Sequence, residues 1–214
     1  MSLAAPAETD QGGATARLAR FVADTEIEEI PPAVLHQGRR CLVDWRGVAL
    51  MGSTEDGAKI LARVSAQLAP GGDGTVLGQP ARLAFPFAAL VNGFQSHVLD
   101  YDSTYNPGRT TVHGNAPVWP AVFATGEWRH ASGRAALAAF ILGWETQVRI
   151  ALGAGRAHYD IGWHVTGTVG HFGASSAAAR LMGLDAAHVV HALGTAGTQA
   201  SGVTQSVSGA IQSD

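Results

Sequence analysis

The sequence predicts an all-α protein: a multi-helix bundle wrapped around one central apolar helix. Two observations carry this. Apolar residues recur at helical spacing through most of the 214 residues, and Gly or Pro punctuates the runs at helix-length intervals. Only Thr75-Val76-Leu77 reads as strand-like, and it is short.

Residues 1–14 are rich in Ala, Gly and Gln without periodicity and are expected to form a flexible leader, leaving 15–214 as the folded domain. Leu18, Phe21, Val22 and Ile27 open the helical pattern. Pro32 suits a first helical turn, and Val34, Leu35, Cys41, Leu42, Trp45 and Val48 follow on one broad face until Gly52-Ser53. A shorter helix is expected over 56–68, closed by Pro70-Gly71-Gly72. Pro86 opens another that reaches His97 and Val98. Residues 100–115 lose periodicity and carry Pro107, Gly108 and Gly114, so they read as a long loop. Helices resume at 117–129 and, from a Ser132 cap, at 135–152, the most apolar stretch and the expected centre of the bundle. A loop is expected at 156–163, then a small-residue helix over 166–182 stopped by Gly183. Asp185 caps a last helix over 186–200, and 201–214 form a Ser/Gly/Gln-rich tail.

Composition narrows the function. Hydrophobic residues make up 46% and charged ones 14%, with a net charge of −3, and the basic residues are scattered. No polybasic footprint for nucleic acid or anionic lipid is present, and the apolar stretches read as too broken to span a membrane. Cys41 is the only cysteine, which excludes an internal disulfide and suits a reducing, cytoplasmic setting. Lys59 is the only lysine, so 13 of the 14 basic residues are arginine, against nine histidines. Acid–base chemistry in such a chain falls to imidazole.

Two stretches bring chemistry-bearing residues together. His97-Val98-Leu99-Asp100-Tyr101-Asp102-Ser103-Thr104, followed by His113, places carboxylates, hydroxyls and imidazoles where a helix gives way to a loop. The ordinary alternative is that Asp102 or Ser103 caps a helix and His97 packs. In Gly162-Trp163-His164-Val165-Thr166-Gly167-Thr168, an imidazole precedes a helix start, whose unpaired N–H groups can hold a carboxylate. The alternative there is that Thr166 caps the helix and His164 packs under Trp163. His188 and His191 share a helix face but lack a third ligand at metal-site spacing. The Gly-rich helix has no P-loop pattern, no G-x-S-x-G is present, and Cys41 reads as structural.

These stretches, taken with Asn92-Gly93, Pro117 to Ala121, Gly143-Trp144-Glu145, Val148-Arg149-Ile150 and Gln199-Ala200-Ser201-Gly202, resemble the MmgE/PrpD family. That family contains 2-methylcitrate dehydratases, cis-aconitate decarboxylases and an iminodisuccinate epimerase. The resemblance runs through nearly all of the chain after the leader. It implies Asp100, His113 and His164 as catalytic residues, and Thr104, Thr166 and Arg109 as substrate-binding ones, with Arg149 a weaker alternative to Arg109. It implies no metal and no cofactor, a small polycarboxylate substrate, and a homodimer without nucleic-acid or membrane partners. Ser103 departs from the family's usual second aspartate, the loop to His113 is longer, and Gly114 replaces a common proline, which is expected to loosen that loop.

The resemblance further implies that the chain corresponds to the first part of a helical domain. An active-site lysine and a smaller α+β domain are expected beyond Asp214, so the piece alone is expected to be inactive. The implied reaction is cofactor-free dehydration of a 2-methylcitrate-like hydroxy acid. The alternatives are epimerisation, racemisation or decarboxylation within the family, and, outside it, a metal-dependent hydrolase built on His97, Asp100, Asp102 and His113 or a non-catalytic module.

Overall fold

The computed structural model describes residues 12–80 and 82–204. Eight helices dominate them: α1 (Ala14–Asp24), α2 (Pro32–Gly52), α3 (Asp56–Leu68), α4 (Phe85–His97), α5 (Asn115–Arg129), α6 (Gly133–Asp160), α7 (Val165–Met182) and α8 (Ala186–Gln199). The all-α expectation holds. Most of the expected leader, and the tail beyond Thr204, lie outside the described residues.

Caps and stops fall where the sequence puts them. Ser132 and Asp185 accept from the backbone N–H groups of Ala135 and His188, and Gly183 closes α7 in the left-handed conformation that glycine adopts without strain. The core of α2, α5, α6 and α7 gathers Trp45, Val118, Trp119, Val122, Phe140 and Ala177, with Trp119 stacked on Phe140 at 4.2 Å between ring centres. Trp45 is fully buried and donates its indole N–H to Ser96 Oγ, so its one polar atom is paired. The α6–α7 contact is the most extensive in the fold. It is close because Gly143 and Gly173 face each other: a Cβ on Gly143 would stand 2.5 Å from the Gly173 carbonyl oxygen.

Three expectations need correction. The loop expected at 156–163 is helical to Asp160; Gly155 (φ 65°, ψ −170°) breaks the helix locally, and α6 resumes beyond it. A glycine can turn one residue out of line without ending the helix. By length and composition α6 is apolar enough to cross a membrane, contrary to the reading of broken stretches, although 56% of its most apolar window is buried inside the bundle. The strand-like piece at 75–77 forms only β1 (Gly74–Thr75), paired antiparallel with β2 (Arg82–Leu83). Beyond it, the side chain of Asn92 takes over, accepting from the Leu77 N–H at 2.9 Å and donating to the Thr75 carbonyl at 2.8 Å.

Candidate active site

The long loop after α4 is ordered into a small hairpin, β3 (Thr104–Tyr105) against β4 (Val112–His113), with Thr104 opposite His113. Its entry is a sharp turn. Asp100 adopts φ 47°, a left-handed conformation that Asp and Asn tolerate better than other side chains, and its N–H bonds back to the His97 carbonyl at 2.9 Å. The turn carries Asp102 beneath the end of α4 and leaves Asp100 facing outward, with side chains 0% and 63% exposed respectively.

Asp102 is the centre of the site. Its Oδ1 accepts from His97 Nδ1 at 2.8 Å, and its Oδ2 lies 3.3 Å from His113 Nδ1, close but without the alignment of a hydrogen bond. Thr104 Oγ1 sits 3.3 Å from both the Asp102 carbonyl oxygen and His113 Nδ1. The His97 ring lies 4.8 Å from that of His113 and 6.0 Å, nearly parallel, from that of His164. His164 is the N-cap of α7 and makes no capping bond with its side chain; its backbone N–H donates to the Gly202 carbonyl at 3.0 Å. Two imidazoles therefore face one buried carboxylate, and a third, His164, lies against the ring of His97.

The groove beside them, about 380 Å³, runs along α7 and is lined by His97, His164, Thr166 and His171 among small residues such as Gly93 and Gly167. No lysine or arginine lines it among the described residues, so the imidazoles are its only cationic groups.

The environment separates the ionisable groups. Burial opposes the charge on Asp102, but the close contacts and charges of His113 and His97 outweigh it and hold the carboxyl at about 2. Burial likewise works against protonating His113, yet Asp102, with Asp100 behind it, raises its pKa above the usual imidazole value. His164 is pushed down, first by burial and then by the charges of His97 and His113, against which Asp100 is a smaller opposing influence.

Of the residues expected from sequence, Asp100, Thr104, His113, His164 and Thr166 are brought together and Arg109 is not. Asp100 Oδ1 stands 3.9 Å from His113 Nε2, beyond hydrogen-bond reach. Thr166 is buried, and its hydroxyl accepts from the His113 N–H at 3.0 Å. Arg109 lines a separate hollow of about 270 Å³ with Arg156 and Tyr159, and Arg149 pairs with Glu145 at 2.7 Å. His188 is bonded to Asp185 at the start of α8. The sequence places His97 and Asp102 in a site only under the metal-hydrolase alternative; the family resemblance, which names Asp100, His113 and His164, leaves both out of the catalytic set. Gly114, expected to loosen the loop, does the reverse: a Cβ there would fall 1.4 Å from Trp144 Nε1, so the indole packs directly against the backbone beside His113.

His97, Asp100, Asp102 and His113 hold ligand-type atoms within 4.8 Å of one another, a set able to receive a cation. Both Nδ1 atoms are turned toward Asp102, so ligation there would have to displace the His97–Asp102 hydrogen bond; the Nε2 atoms are the ones left for outside partners.

The MmgE/PrpD N-terminal domain model matches residues 16–214. A cis-aconitate decarboxylase-like protein of Aspergillus oryzae is 28% identical over 91% of this chain and 42% of its own length. The human cis-aconitate decarboxylase is 29% identical over 85% of this chain and 38% of its own length, and that of Aspergillus terreus 27% identical over 90% and 40%. The chain thus spans about two fifths of the length of these curated relatives. With the imidazole cluster falling in the very motifs that suggested the resemblance, the chain belongs to the MmgE/PrpD family, as its N-terminal domain.

Proposed function

We propose that the protein carrying this chain is a lyase acting on a small polycarboxylic acid, and that it decarboxylates an acid of the cis-aconitate type. The observation that supports this best is His113, whose Nδ1 lies 3.3 Å from the buried Asp102 carboxylate, which raises its pKa, with Nε2 left for an outside partner. When a β,γ-unsaturated acid loses CO2, the pair from the broken C–C bond forms a new double bond, and the old π pair takes a proton at its far carbon. One proton enters for each CO2 that leaves, so the reaction needs a general acid at that carbon. His113 supplies it, and Asp102 stabilises the imidazolium until transfer. The named activity of the relatives favours decarboxylation over the dehydration suggested by motif resemblance.

Dehydration is the second reading, and it has an observation of its own. The environments of His113 and His164 push their pKa values apart, the arrangement needed for an acid and a base in one site. His164 would take the proton α to a carboxylate and His113 would protonate the departing hydroxide. Either way, the carboxylates of the substrate meet imidazoles and the Thr166 hydroxyl in this groove, with no lysine or arginine lining it among the described residues. The working form is taken to be a cytoplasmic homodimer that needs no cofactor.

The deciding experiment incubates the full-length protein with cis-aconitate and with 2-methylcitrate in D2O and excess chelator. Decarboxylation releases CO2 and leaves one deuterium on carbon in the product. Dehydration yields an unsaturated acid without CO2, and epimerisation incorporates deuterium with neither loss. Epimerisation alone, or absence of all three, would sink the lyase reading, and activity untouched by His113→Gln would sink His113 as its proton donor.

A further inference from the structure

Gln147 lies in the middle of α6, fully buried, where that helix crosses α7. A buried primary amide is costly unless its polar atoms are paired. Here the pairing is one-sided. Nε2 donates to the His113 carbonyl oxygen at 2.8 Å, whereas Oε1 has no hydrogen-bond partner among the described residues and faces Gly173, whose absent Cβ would lie 2.8 Å away. The other polar group of the same backbone unit is held too, the His113 N–H by Thr166 Oγ1 at 3.0 Å. A hairpin of two-residue strands has little stability of its own. Both backbone polar groups of His113 are therefore gripped by side chains from two different helices, and the grip from α6 comes from a side chain that makes no other hydrogen bond among the described residues.

We propose that Gln147 is a positioning residue for proton transfer: its amide N–H fixes the His113 carbonyl and thereby sets where the imidazole stands relative to Asp102 and the groove. The proposal rests on the reading of His113 as the proton donor, and Gln147 acts only through it. Position matters because His113 Nδ1 and Asp102 Oδ2 are 3.3 Å apart, at the far edge of hydrogen-bonding distance, where a shift of a few tenths of an ångström makes or breaks the contact. Gly173 is part of the same device: by leaving room at the crossing, it lets the amide reach past α7 to the strand.

The test is Gln147→Met in the full-length protein, since methionine keeps the length and packs adaptably but cannot donate. Gln147→Leu serves if the first variant does not fold. With histidines selectively labelled for NMR, the His113 titration midpoint is expected to fall toward that of a free imidazole. In turnover, kcat is expected to drop at least tenfold with KM within threefold. A folded variant whose His113 midpoint and kcat are unchanged overturns the proposal, and so does one that loses only thermal stability. The titration needs no turnover: a shifted midpoint in a protein inactive on every polycarboxylate would defeat the lyase reading while supporting the positioning role.

Discussion

Asp102 Oδ1 lies 2.8 Å from His97 Nδ1, and its Oδ2 3.3 Å from His113 Nδ1, so a single buried carboxylate faces two imidazoles. Replacing it with the isosteric amide removes the charge both rings lean on. Asp102→Asn is expected to lower the His113 titration midpoint by about one pH unit or more. NMR titration of the ring protons measures it, and an unmoved midpoint would show that Asp102 is not what holds the proton on His113.

The same carboxylate gives the fold an acid limit. Its pKa is about 2 in the folded protein against 3.8 ordinarily, so between those values the unfolded chain binds more protons and stability falls as pH falls. The stabilisation, on the order of 2 kcal/mol, is fully present above about pH 4 and lost as pH drops through about 2. Chemical denaturation at pH 5 and at pH 2.5 should show this loss in the natural chain and a smaller one in Asp102→Asn.

His113 and His164 are expected to titrate on opposite sides of the ordinary imidazole value, His113 above and His164 below. For stability the signs differ. The contribution of His113 is present at low pH and lost as pH rises through its folded pKa. His164, whose folded pKa is lowered, costs stability as acid forces a proton onto it. Observing His164 as the higher of the two would reverse the assignment of acid and base.

Gly114→Ala is expected to destabilise by about 1–3 kcal/mol, because its Cβ cannot coexist with the Trp144 indole and overpacking forces a shift. Indole fluorescence should change with the melting temperature. An unchanged melting temperature would mean that the loop yields instead.

Ser96→Ala leaves the fully buried Trp45 N–H without its acceptor. The expected cost is about 1–3 kcal/mol, measurable as a lowered denaturant midpoint with an unchanged slope.

Helix positions were legible because apolar spacing, proline entries and the Ser132, Asp185 and Gly183 signals all act locally. The hairpin was not legible, since Thr104 and His113 owe their pairing to helices arriving from elsewhere. Both constellations were visible as clusters of residue types. Which aspartate would turn inward was not, because that depends on the left-handed turn at Asp100, a conformation its neighbours in sequence do not announce. Arg109 was separated from the imidazoles for a related reason: the hairpin carries residues 106–111 away from the groove and toward the end of α6.

The break at Gly155 has a mechanical consequence. The residues beyond it are tied to α7, with His158 Nε2 bonded to Thr168 Oγ1 at 2.8 Å and the His158 ring stacked on Trp163. Up to the break, α6 is fastened into the core through Leu142, Gly143 and Val148. The joint falls between these two allegiances. The last turn of α6 is thus fastened to the segment that carries His164, while the longer part of the helix is fastened to the core of the bundle.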